Sequence, residues 1–178
     1  MSFLVRKIAR GKWPDNDYPL VNIPEDIPAK FSLDLRSNDD NSLSFWYIDS
    51  ENEDDLKEAV LALATGPQVD SVDNIDIVWL DREQLEKKLK EKGAEIDDNS
   101  PGFTSIDALV ATHRNARKIT YSSLGVIAEM VVKAIRNDKR RKFTEKKVRT
   151  YLKEALSAGR INKDKCNPDL LSKLEKSS

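Results

Sequence analysis

The chain has 178 residues, 39% of them hydrophobic and 34% charged, with a formal net charge of −1. That length supports a core without covalent staples, and that apolar share excludes a disordered chain. A single cysteine, Cys166, excludes an internal disulfide and a multi-cysteine zinc site, and a single histidine, His113, removes most metal and triad chemistry.

Phe3 to Ile8 reads as a first strand. Trp13-Pro14-Asp15-Asn16-Asp17 is turn chemistry, and Pro14, Pro19, Pro24 and Pro28 argue against a helix or central strand over 14–28. Phe31-Ser32-Leu33-Asp34-Leu35-Arg36 alternates apolar and polar residues, the pattern of a strand. The competing reading is a helical turn over 27–35, because Ile27, Phe31 and Leu35 fall four apart. A polar cluster, Ser37 to Ser42, then joins this segment as a hairpin to Leu43-Ser44-Phe45-Trp46-Tyr47-Ile48, which is apolar enough for an interior strand.

Asp54 and Asp55 open a helix with Leu56, Ala59, Val60 and Leu63 as its apolar stripe. Gly66-Pro67 stops it, with Gly66 expected in the left-handed cap. Ile75 to Leu80 reads as a second apolar strand, and Asp81 with Gln84 forms a capping box for a surface helix anchored by Leu85 and Leu89 and ended by Gly93. Residues 94 to 104 read as a linker, and the chain beyond it reads as helical: a short helix from Ser105, a longer one with Leu124, Ile127, Val131, Ala134 and Ile135 inward, and a last clear one capped by Thr144. In that last helix Phe143 staples on Val148, Gly159 is the stop and Ile161 covers the cap. A weak helix starts at Pro168.

The expected class is therefore α+β: a small mixed β-sheet with covering helices, followed by a helical C-terminal part. The expected division is an α+β sheet domain over 1–98 and a basic helical region over 103–178. Apolar runs stay well below the ~20 residues of a membrane span. The N-terminus lacks the basic and apolar regions of a signal peptide, so a cytoplasmic protein without a membrane partner is expected.

The near-zero net charge hides a split. Residues 131–165 carry 13 basic and 4 acidic side chains, whereas residues 1–130 carry 15 basic and 25 acidic. Lys139-Arg140-Arg141-Lys142 lies between two helices, Lys146, Arg149 and Lys153 form an i, i+3, i+7 stripe, and Arg160 lies just beyond. Such a surface attracts acidic partners or phosphates, unless it docks on the chain's own acidic half. Trp13, in a loop beside Pro14, is expected to be exposed as an interface anchor.

No catalytic constellation accompanies these features. The acidic clusters Asp39-Asp40, Glu51 to Asp55 and Asp97-Asp98 lack calcium-loop spacing and sit where turns and helix starts want Asp. The triplets Asp55-x-Lys57, Glu86-x-Lys88 and Glu145-x-Lys147 match a metal nuclease pattern, but all fall in helical segments rather than on a sheet. His113, with Asp107, Arg117, Tyr121 and Ser122 near in sequence, reads as a histidine at a helix C-terminus. No metal and no cofactor is expected.

The leading reading is a non-enzymatic accessory or regulatory subunit. It would bind an acidic protein partner through Lys139, Arg140, Arg141, Lys142, Lys146, Arg149, Lys153 and Arg160, with Trp13 as a second contact. The alternative is nucleic-acid binding through the basic stripe 139–160. The third is a small nuclease dependent on a metal or on His113.

Overall fold

The computed structural model describes residues 1–9, 11–14, 21–23, 25, 27–35 and 41–176. The turn readings over Asp15 to Asp17, the breakers Pro19 and Pro24, and the cluster Asp39-Asp40 lie outside the described residues.

Six strands form one antiparallel sheet in the order β4-β5-β2-β1-β3-β6. They are β1 (Phe3–Lys7), β2 (Leu43–Ile48), β3 (Ile75–Asp81), β4 (Glu95–Asp97), β5 (His113–Arg117) and β6 (Arg140–Phe143). Helices α1 (Ala29–Asp34), α2 (Glu53–Ala64), α3 (Arg82–Lys90), α4 (Tyr121–Arg136), α5 (Glu145–Ser157) and α6 (Pro168–Lys176) cover it, with a 3-10 turn at Asp107–Thr112. The class is α+β, as expected, although the sheet is antiparallel rather than mixed.

The period-2 alternation of the strands sorts their side chains into two cores. Phe3, Val5, Trp46, Ile48, Ile75, Ile77 and Trp79 face α2, α5, α6 and the 3-10 turn. Leu4, Ile8, Leu43, Phe45, Val78 and Leu80 face α1, α3 and α4. Covering both faces explains why β2 and β3 are nearly continuous apolar runs. Leu56, Leu61, Leu85 and Leu89 are fully buried helical anchors, each stabilising by roughly 1.5–3 kcal/mol relative to exposure.

The caps at Asp81 and Thr144 act as the sequence suggests, and Asn52 and Thr120 add two more. Asn52 Oδ1 accepts from the Asp55 amide, Asp81 Oδ1 from the Gln84 amide, and Thr144 Oγ1 from the Lys147 amide. Thr120 and Ser123 form a reciprocal box at the start of α4. Gly93 and Gly159 adopt φ of +75° and +67°, the left-handed stops expected of them. Gly66 does not: α2 closes on Thr65, whose φ is −116°.

Three readings are corrected. Phe31 to Asp34 belong to helix α1 and Leu35 to the turn after it, not to a strand: Phe31 and Leu35 are 1% and 0% exposed while Leu33, which a strand would bury with them, is 56% exposed. The stretch read as a linker supplies edge strand β4. The stretch read as helical from 103 supplies β5 and β6, which pair with β2 and β3.

Candidate functional site

The basic segment lies on the acidic one. Helix α5 packs beside α2, and the two helices exchange charges along their length. Lys57 Nζ is 2.6 Å from Glu154 Oε2. Glu53 is shared by Arg141 and Lys147 and accepts the Tyr151 hydroxyl at 2.8 Å. Lys139 pairs with Glu51 at 3.3 Å, Arg160 with Glu58, and Arg149 with Glu145 on its own helix. Part of the charge split thus closes within the molecule. These pairs are solvent-exposed, so each contributes only about 0–1 kcal/mol.

Two carboxyls in this seam are tuned. The Tyr151 hydroxyl, followed by Arg141, holds Glu53 below the usual carboxylate range. The Trp79 indole, donating at 2.8 Å, and Lys139 do the same for Glu51. Tyr151 moves the other way: burial, reinforced by Glu53, pushes its phenol up to about 12.

The expected site residues separate into three groups. Arg141, Lys142, Lys146, Arg149 and Lys153 lie on β6 and α5, where Lys147, not among the expected residues, joins them. Lys142 and Lys146 are exposed, and the Lys146 ammonium has no ion pair or hydrogen bond among the described residues. Lys139 and Arg160 flank these two elements, on Glu51 and Glu58. Arg140 is not a surface cation: its side chain is 9% exposed and grips Asp76, 5% exposed, at 2.6 Å. Its other terminal nitrogen donates to the Pro14 carbonyl at 3.0 Å.

The expected exposure of Trp13 does not hold. It is 3% exposed, stacks on Phe31 with centroids 5.0 Å apart, and donates its indole N–H to Asp34 Oδ2 at 2.6 Å. Its neighbour Pro14 suggested a loop, but α1 folds over that loop and buries the ring. Sequence reasoning missed Asp76 and Arg6. Both are ionisable residues in otherwise apolar strands, and that mismatch was the available signal, since a buried charge demands partners.

His113 caps the C-terminus of the 3-10 turn, as the helix-end reading expects, and also opens β5. Its Nδ1 lies 3.2 Å from the Ser100 carbonyl oxygen, and its ring meets Trp46 edge-on at 5.1 Å. Asp107 engages Lys165 and Asn162 instead, and Tyr121 is 95% exposed. Burial, then the charge of Arg114, lowers the His113 pKa, with the Ser100 carbonyl opposing. The unfolded chain therefore binds the proton more readily, and stability falls as pH drops through the ordinary histidine range near 6.5. Urea unfolding between pH 8 and 5 should show that loss, and His113→Gln should flatten it; an unchanged slope would contradict it. The three carboxylate-x-Lys triplets lie on α2, α3 and α5, as read.

Among the described residues, no group of three or more His, Cys, Asp or Glu is placed to hold a metal ion, and no helix is long and apolar enough to cross a membrane. Comparison with protein-family models, with curated proteins and with solved structures finds no match for this chain.

Proposed function

We propose that this chain is a non-enzymatic binding protein that engages an acidic protein partner through β6 and α5, as an accessory or regulatory subunit of a complex. One observation carries the reading: the segment that forms β6 and α5 is strongly cationic. Residues 141–153 hold six cations and one carboxylate. The single carboxylate Glu53 is spread over Arg141 and Lys147. A surface of this kind steers an acidic partner and sets its orientation, with affinity that falls as salt rises. Base stacking has little support here, because Phe143 and Tyr151 are buried in the core beneath the face.

The test is capture from native extract by the tagged chain, with half of each sample digested with nuclease, beside a Lys142→Glu/Lys146→Glu/Lys153→Glu variant. A stoichiometric protein retained after digestion, and bound about tenfold more weakly by the variant, is the expected result. Equal capture by the variant would sink the reading. Loss of the captured material on digestion would transfer the surface to nucleic acid.

A further inference from the structure

We propose that the cavity at the end of β1 binds a small oxyanion-bearing molecule, held by Arg6 and Lys7 with its apolar body against Trp46 and Leu63. The cavity has a volume of about 300 Å³ and opens where β1 finishes and β2 begins, between the two helical layers. That volume is at the lower end of small-molecule sites.

Arg6 is the reason for an oxyanion. Its guanidinium sits 5.8 Å from the centre of the Phe45 ring. Nη1 donates to the Ser44 carbonyl at 3.0 Å and Nη2 to the Asp34 carbonyl at 3.5 Å. Nε is shielded from solvent and has no hydrogen-bond partner. A guanidinium has five N–H donors, and two neutral carbonyls leave most of that capacity unused.

The nearest help is the Asp34 carboxylate, but its Oδ2 is already taken by the Ala9 amide at 2.8 Å and the Trp13 indole at 2.6 Å. The contrast is with Arg140, another cation drawn into the fold, which grips its carboxylate directly. Burial accordingly depresses the Arg6 pKa, with Asp34 only opposing the shift.

Lys7 stands at the rim, exposed, its ammonium without an ion pair or hydrogen bond among the described residues. Arg6 and Lys7 are thus two cations in the lining beside one carboxylate whose Oδ2 is committed, and the oxygens of a carboxylate or phosphate match the N–H donors that Arg6 leaves unused. Trp46 and Leu63 give the cavity an apolar wall for the rest of the ligand. The cavity takes no lining residue from β6 or α5, and either proposal can fail without the other.

The experiment is an amide NMR titration of the full chain with sodium phosphate and with sodium benzoate, each against sodium chloride at matched ionic strength. Saturable shifts centred on Lys7, Ile8, Ala9 and Ser44 are expected with at least one anion. A benzoate preference identifies an organic acid, and a phosphate preference a phosphorylated ligand. Lys7→Ala should weaken binding about tenfold, the loss of one charged hydrogen bond. Arg6→Lys, which keeps the charge and loses the fork, should weaken it similarly; if that variant does not fold, Lys7→Ala decides. Shifts no different from chloride, shifts centred elsewhere, or unchanged binding by Lys7→Ala would overturn the proposal.

Discussion

Arg140→Met is expected to cost about 3–5 kcal/mol of folding stability, because it strands Asp76 as an uncompensated buried charge. Three hydrogen bonds at 2.6, 3.1 and 3.2 Å join the pair, linking edge strand β6 to β3, and a fourth reaches the Pro14 carbonyl. Removing both charges is a different experiment. The Asp76→Leu/Arg140→Met double variant replaces an expensive desolvated pair with apolar volume, and it should recover most of the loss. Urea unfolding midpoints of the three proteins check this. A single variant within about 1 kcal/mol of wild type would show that water reaches the pair.

Gly102→Ala is expected to cost about 1–3 kcal/mol through overpacking. A Cβ at this position would lie 2.7 Å from His113 Cβ and 2.8 Å from Trp46 Cη2. Neither neighbour can yield cheaply: one is anchored to the β5 backbone and the other is the far edge of a rigid indole in the core. Gly66→Ala is the matched control, since its added methyl would meet the Val69 side chain at an ordinary 3.6 Å. Thermal unfolding should separate the two, at roughly 2–4 °C per kcal/mol for a chain of this size. Equal melting points would show that the β5–Trp46 contact is loose.

The elements legible in the sequence are those whose pattern has one solution. β2 and β3 are apolar on both faces, and α2, α4 and α5 combine a 3.6-residue stripe with a side-chain cap. Phe31, Leu33 and Leu35 fit both periods, and only the burial of the first and last against an exposed Leu33 decides for a helix.

β5 and β6 are invisible for a different reason: their side chains are mostly polar or charged. Asn115 is satisfied locally, donating to Ser100 Oγ at 2.7 Å and accepting from Ser44 Oγ at 3.2 Å. Arg114 stacks over the Tyr47 ring at 5.2 Å. Arg140 to Lys142 are charges on an edge strand, which blunt it against pairing with another chain. The basic surplus of the candidate surface was plain in the composition. The identity of its acidic counterparts was not, because Arg141 and Glu53 lie 88 positions apart, and Arg160 and Glu58 lie 102 apart.

The strand order has a consequence for how the chain is born. β1 can pair with β2 and β3 once residue 81 has been made, but the outer partners of those two strands are β5 and β6. Between Asp81 and Phe143, at about 5–20 residues per second, synthesis takes roughly 3–12 s. Throughout that interval β3 has an open edge, and the helices that roof both cores are incomplete. The nascent protein thus presents its most apolar ladder, unroofed, to chaperones, proteases and its own neighbours, and commitment to the native state waits for the basic segment to emerge and close the sheet.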